Sequence, residues 1–429
     1  MMEKLVIQPF KRSPRGRVSL PGSKSITNRA LMLAALASGN TIIHNPVVSD
    51  DSEYFIKSLQ KLGFRVDTDR HDQIFVEGLA GKIPTNNADL YVGNAGTAAR
   101  FLSGLICLGN GKFRVDGNKR MRERPIGDLV EALRGLGARI VGSENKGMIC
   151  PPIEIQAEGL KGGRADISGK VSSQFLSALL MIGPYTALGI EIHVSDELNS
   201  KPYVDMTLKM MEKFGMKINQ PEEHVFHVGT GSYVSPGEYV VEPDATAASY
   251  FLALPAFTGG SVFISGLQSN SIQGDVRFVE ILKTMGLRID ESEAGITSSF
   301  DIEMKLKGLT VDLSDMPDTA QTLAVLAPFA NEPVEIRGIA SARVKESDRI
   351  GATCAELRKL GVKVEEFSDG MRIYPCSKLN PAEICTYDDH RMAMSFALIG
   401  TRIEGIVIQD PDCVNKTFPK FFETLDGLR

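Results

Sequence analysis

The amino-acid sequence predicts an α/β (α+β) fold of two domains, each built from three copies of one βαβαββ unit with helices packed inside and sheets outside. Two repeating features and the chain length lead there. Five helical stretches end in an apolar residue followed by Gly and a strand-like run: Leu62-Gly63, Leu136-Gly137, Phe214-Gly215, Met285-Gly286 and Leu360-Gly361. Their spacing of about 70 to 80 residues is longer than common solenoid periods, and a degenerate sixth copy stands at Leu425-Asp426-Gly427. Gly suits the helix end because the residue there usually turns left-handed. Ahead of each such helix lies a second motif: a short apolar strand, a polar turn, an apolar helix and another strand. At 429 residues the chain also exceeds what one hydrophobic core usually supports.

The apolar helices fall at residues 23–39, 96–111, 172–184, 244–260, 318–332 and 389–400. Each carries small or β-branched residues inside and a polar start able to cap free N–H groups. Alternating strands follow at 41–44, 112–115, 191–194, 261–264, 334–337 and 406–408. After its second helix a unit forms a hairpin, as where Phe64-Arg65-Val66 returns through Ile74-Phe75-Val76. One unit cannot bury its sheet and both helices, whereas three together do. The boundary falls near Tyr239 to Glu242, giving an N-terminal-type domain over 23–241 and a C-terminal-type domain over 1–22 and 242–429. The strand before Pro21 is expected to pair with the last unit and close the second domain.

Composition narrows the function classes. The apolar fraction of 43% and charged fraction of 24% match soluble globular proteins, and no run is long enough to span a membrane. The start, Met1-Met2-Glu3-Lys4, leads into a strand without a signal-peptide core, so a cytoplasmic protein is expected. The cysteines form no C-x-x-C pair, which points to free thiols and no metal site. A net charge of −5 opposes a nucleic-acid partner, so any anion site must be local.

Helix N-termini offer unpaired N–H donors and the positive end of the macrodipole. Here they carry unusual residues. Lys24, Ser25 and Arg29 open the first apolar helix, two cations within a turn or so of its start; Asn94, Gly96, Thr97 and Arg100 open the next; Ser172, Ser173 and Gln174 open the third. The later helices start with Asp244, Asp318 and Asp388-Asp389-His390-Arg391. Asp244 reads as an ordinary cap, because nothing around it is reactive. Near the next start either Asp315 or Asp318 is available to cap, leaving one carboxylate for proton transfer. Connecting loops add Lys119-Arg120-Met121-Arg122-Glu123-Arg124-Pro125, Arg343-Val344-Lys345-Glu346-Ser347-Asp348-Arg349 and Asn415-Lys416-Thr417. A solvated salt-bridge face explains one such loop. Three units placing cations at the same point of the repeat point instead to carboxylate and phosphate ligands.

With these residues assembled, the chain resembles the enolpyruvyl transferases of the 5-enolpyruvylshikimate-3-phosphate synthase family over essentially its whole length. The motifs are L-P-G-S-K-S-x-x-N-R from Leu20 to Arg29, G-N-A-G-T-A from Gly93 to Ala98, R-P-I-G from Arg124 to Gly127, V-S-S-Q-F from Val171 to Phe175, S-K-P-Y from Ser200 to Tyr203, R-V-K-E-S-D-R from Arg343 to Arg349, and D-H-R-M-A-M from Asp389 to Met394. The resemblance implies a two-domain inside-out α/β barrel of six βαβαββ repeats, in agreement with the repeat reading. It implies that Lys24, Ser25, Arg29, Ser172, Ser173, Gln174, Ser200, Tyr203, Asp318, Ser341 and Lys345 hold shikimate-3-phosphate. Phosphoenolpyruvate is then expected against Lys24, Asn94, Gly96, Arg124, Gln174, Glu346, Arg349, His390, Arg391 and Lys416.

The implied reaction is addition followed by elimination. The 5-hydroxyl of shikimate-3-phosphate attacks C2 of phosphoenolpyruvate while C3 is protonated, and the tetrahedral adduct loses inorganic phosphate. Asp318, assisted by Lys24, is expected on the hydroxyl side and Glu346 at C3. No cofactor, no metal and no membrane partner is implied, the chain is expected to act as a monomer, and closure of its domains on substrate is expected. Two positions depart from the family's common pattern: Ser341, where Asn is usual, and Phe101, where Pro is usual. The rival reading is the sister transferase acting on UDP-N-acetylglucosamine. It normally carries a loop cysteine where this chain has Asn118-Lys119-Arg120, and it lacks the S-K-S-x-x-N-R start.

Overall fold

The structure, a computed structural model, describes residues 3–70 and 72–429; Met1 and Met2 of the N-terminal stretch read above lie outside the described residues. The chain divides into two compact units, Gly22–Val241 and Met1–Pro21 with Glu242–Arg429.

Within Gly22–Val241 there are three four-stranded sheets of one topology. The second repeat shows it plainly: Asn87–Tyr91 runs parallel to Asn110–Asp116, which pairs antiparallel with Met148–Glu158, itself in a hairpin with Arg139–Asn145. The third repeat uses Gly163–Ile167, Ile190–Val194, Val225–Val228 and Asn219–Glu222 in the same order. The inner helices Lys24–Leu36, Gly96–Ile106 and Ser173–Ile182 are buried almost all round, as uninterrupted stretches such as Ala30 to Leu36 require. The outer helix Asp50–Lys61 instead buries one stripe, Phe55, Ile56 and Leu59, and leaves its charged face to water. Helices therefore form the core and sheets the shell.

The first sheet of this unit runs Glu238–Val240, Ser38–His44, Gln73–Leu79, Val66–Asp67. Its leading strand thus comes from the end of the unit, not from the chain just before Lys24. That preceding strand, Arg15–Val18, joins the other unit, where it lies parallel to Gly260–Ser265 and completes the fourth repeat's sheet with Gly295–Phe300 and Arg288–Ser292. This corrects the expectation that the strand before Pro21 pairs with the last repeat. The strand that does so is Lys4–Ile7, antiparallel to Ile406–Gln409. The cause is backbone satisfaction. Ile406–Gln409 pairs with Ala382–Ile384 on one side and with Lys4–Ile7 on the other, so neither of its edges is left without a partner. The fourth repeat lost its leading strand to the other unit, and Arg15–Val18 fills that gap.

The five Gly helix ends read from sequence all sit at positive φ, from 86° at Gly215 and Gly361 to 108° at Gly286. Gly427, the degenerate sixth, does not: its φ is −63°. Among the described residues no helix is long and apolar enough to cross a membrane.

Candidate active site

In Gly22–Val241 the helix starts gather three groups. Lys24 opens Lys24–Leu36 with its Nζ 3.3 Å from Asp51 Oδ2. Five residues on, Arg29 is only 1% exposed, and its guanidinium donates to Thr207 Oγ1, Ser177 Oγ and the carbonyls of Ser25 and Tyr203. These hydrogen-bond partners are all neutral. Burial pulls the Arg29 pKa down to about 10, partly offset by Tyr203 and Tyr239, and its guanidinium lies 5.3 Å from the Phe101 ring centroid. The Pro-to-Phe departure at 101 thus supplies an aromatic face to a buried cation.

The second group is Asn94, Gly96 and Arg124. Arg124 Nη1 donates to Asn94 O and Oδ1 at 2.9 and 3.1 Å. A Cβ at Gly96 would stand 2.5 Å from Arg124 Nη2 and 2.8 Å from Arg100 Nη1, so only Gly lets both guanidiniums reach this helix start. Arg100 itself donates to the carbonyls of Gly96 and Pro125 and serves the loop. The loop's other cations are spoken for at the surface: Arg122 grips Asp116 with two hydrogen bonds, and Arg120 pairs with Glu123. Arg124 alone among these three turns inward, at 4% exposure.

In the third group Ser172 caps Ser173–Ile182 by accepting from Gln174 N, while Gln174 Nε2 donates to Thr97 Oγ1 at 3.3 Å. Ser200, at φ 60°, leads into Lys201–Lys213, and Tyr203 in its first turn meets Arg29 through its carbonyl.

In the other unit the three Asp helix starts part ways. Asp244 is a cap, accepting from Ala247 N at 2.8 Å. Asp315 pairs with Arg277 near the surface. Asp318, in the 3₁₀ turn Pro317–Thr319, meets two guanidiniums: Oδ1 accepts from Arg349 Nη1 at 2.9 Å and Oδ2 from Arg391 Nη2 at 2.7 Å. Asp389 both caps His390–Gly400 and accepts from Arg349 Nε and Nη2 and from Ser347 Oγ. Its anchoring role was not read from sequence, where it passed for one polar residue of a helix start.

Glu346 completes the cluster, accepting from Arg349 Nη2 at 3.0 Å with Lys416 Nζ 3.7 Å from its other oxygen. Burial works against the Arg349 charge, but Asp389, Glu346 and Asp318 outweigh it and raise its pKa. Arg349, Arg391 and Lys416 therefore face Asp318, Glu346 and Asp389, with Asp388 within electrostatic reach of Lys416 and Glu346, so the expected cationic cage is lined by carboxylates as well. In Gly22–Val241 Lys24 pairs with Asp51, while Arg29 and Arg124 donate to neutral oxygens. Ser341 and Lys345 are half-buried beside this cluster's loop, Ser341 within the 3₁₀ turn Ala340–Val344. His390 is fully buried with Nδ1 3.7 Å from Asp389 Oδ1, and it presents no surface to a ligand; successive residues of a helix point to different sides, so its side chain leaves the direction that Arg391 takes toward Asp318.

A sequence profile for EPSP synthase (3-phosphoshikimate 1-carboxyvinyltransferase) matches residues 11–425. The chain belongs to the EPSP synthase family. It is 47% identical over 422 residues to the 3-phosphoshikimate 1-carboxyvinyltransferase of Trichormus variabilis, covering 98% of both chains. It is 45% identical to that of Vibrio vulnificus, covering 100% of this chain and 99% of the relative. Among solved structures, an EPSP synthase from Acinetobacter baumannii superposes with a TM-score of 0.81 at 26% identity, covering 99% and 98% of the two chains. The enolpyruvyl transferase NikO from Streptomyces tendae shares the fold at a TM-score of 0.80 and 17% identity, with 100% and 98% covered. The two-domain inside-out α/β architecture of the EPSP synthase family is thus the architecture of this chain.

Proposed function

We propose that the chain transfers the enolpyruvyl (carboxyvinyl) group of phosphoenolpyruvate to the 5-hydroxyl of shikimate-3-phosphate with release of inorganic phosphate, the 3-phosphoshikimate 1-carboxyvinyltransferase reaction of aromatic amino-acid biosynthesis. The observation that carries this reading is the relation to proteins of that name over nearly the whole chain. The geometry supports it in detail. Shikimate-3-phosphate has a carboxylate and a phosphate on a polyol ring, which suits the cations and the hydroxyl and amide groups of Lys24, Ser25, Arg29, Ser172, Ser173, Gln174, Ser200 and Tyr203, completed by Asp318, Ser341 and Lys345. Phosphoenolpyruvate, small and mostly charge, suits Arg124, Arg349, Arg391 and Lys416 with Lys24, Asn94, Gly96, Gln174 and Glu346.

Asp318, bonded by the guanidiniums of Arg349 and Arg391, takes the proton of the 5-hydroxyl as it attacks C2, with Lys24 assisting. Glu346 exchanges the proton at C3. The guanidiniums stabilise the phosphate as the C2–O bond of the adduct breaks, worth most where water is excluded. In this reading the two compact units serve as its two domains, and the protein acts as a monomer in the cytoplasm. The test is phosphate release from phosphoenolpyruvate with shikimate-3-phosphate or with UDP-N-acetylglucosamine as acceptor. Release with shikimate-3-phosphate alone is expected, and release with the nucleotide sugar alone would replace this reading by its rival.

A further inference from the structure

We propose that Tyr250, a core residue outside the ligand sets above, is a positioning residue that sets the guanidinium of Arg391 for phosphoenolpyruvate. The proposal rests on the function just given.

The fourth repeat reaches the cluster through a neutral side chain, Tyr250. Its helix start is spent on structure: Asp244 caps, Gln273 Oε1 accepts from Ala245 N, and Thr246 bonds Asp275. What this repeat offers is Tyr250, on the helix Ala245–Ala253 and 1% exposed, whose Oη accepts from Arg391 Nη1 at 3.3 Å. The ring packs edge-on to Phe421 at 5.8 Å, a contact that Phe would make equally well. A phenol at such a position is costly unless its oxygen is bonded, and the bond it makes is to Arg391. Asp318 holds Nη2 and Tyr250 holds Nη1, so two elements fix both arms of one guanidinium.

Charge explains why this second anchor is a phenol. Besides the three carboxylates that pair with its cations, the cluster has Asp388 within electrostatic reach of Lys416, Asp389 and Glu346, and a further carboxylate here would add negative charge toward an anionic substrate. Burial raises the Tyr250 pKa to about 12, though Arg391 and Arg349 pull against it, so the hydroxyl orients Arg391 without neutralising it.

The test is steady-state phosphate release by Tyr250→Phe, Arg391→Lys and the double variant. Tyr250→Phe is expected to raise KM for phosphoenolpyruvate about 3- to 10-fold, as for one modest hydrogen bond, with KM for shikimate-3-phosphate and the melting temperature unchanged. In the Arg391→Lys background the same change should add nothing. An unchanged KM for phosphoenolpyruvate, an equal rise in both KM values, or full additivity with Arg391→Lys overturns the positioning role. A wild-type chain that turns over nucleotide sugar in place of shikimate-3-phosphate overturns the functional reading alone, and the phosphoenolpyruvate comparison then runs with that acceptor.

Discussion

Arg349 Nη1 and Asp318 Oδ1 meet at 2.9 Å although 31 positions separate them in the chain, and Arg349 is only 3% exposed. The same carboxylate takes Arg391 on its other oxygen. Asp318 is therefore both the proposed base and the tie between two buried cations.

Asp318→Asn is expected to cut turnover by about 10²- to 10⁴-fold, the usual worth of a general base. It should also lower stability, by roughly 3–5 kcal/mol if the network behaves as other broken buried pairs do. Phosphate release and urea unfolding measure the two effects separately. Glu346→Gln should match the first effect and abolish solvent-proton exchange into C3 of phosphoenolpyruvate. Retained exchange would remove Glu346 from its role.

Gly96→Ala puts a methyl where Arg124 Nη2 and Arg100 Nη1 now stand. Both are ends of flexible side chains, so the fold should persist while Arg124 shifts. A rise in KM for phosphoenolpyruvate with little change for shikimate-3-phosphate is expected from paired saturation curves.

Arg29→Lys keeps the charge and loses the fork. Four neutral acceptors surround Arg29, and an ammonium cannot span them from one point. Thermal unfolding should show a loss on the order of 2 kcal/mol, and KM for shikimate-3-phosphate should rise more than that for phosphoenolpyruvate.

Asp116 ties down the loop that carries Arg124. Burial works to raise its pKa, but hydrogen bonds from Arg122 and Gly117 N, with Arg114 nearby, outweigh that and hold it below the ordinary value. A depressed carboxylate stabilises the fold above its unfolded pKa of about 4 and loses that contribution as pH falls through the folded value. Asp116→Asn should therefore destabilise at pH 7, with the gap to wild type shrinking below about pH 4. Melting curves across that range check it; a gap constant with pH would assign the effect to packing.

The repeat was legible because its signals are local. Gly63, Gly137, Gly215, Gly286 and Gly361 mark helix ends by their own conformational freedom, and the inner helices declare themselves by unbroken apolar composition. Local signals also separated Asp244, with nothing reactive around it, from the rest. They failed at Gly427, where the motif persists but the glycine keeps a negative φ of −63°. They could not sort the cations of residues 119–124 either, since Arg120, Arg122 and Arg124 share one short stretch and differ only in what each meets.

From residue order alone came the six-fold repeat, the family likeness, and the pool of ionic residues from which the site is drawn. Each rests on neighbours or on periodic spacing, which the chain carries before it folds. Folding decided which strand completes which sheet, with Lys4–Ile7 pairing with Ile406–Gln409 and Arg15–Val18 joining the fourth repeat. It also decided which partners Asp318 meets, placing it between Arg349 and Arg391. The physical reason is the same in both cases: an open sheet edge or a buried charge is satisfied by whatever the fold brings within about 3 Å, and that partner lies far along the chain.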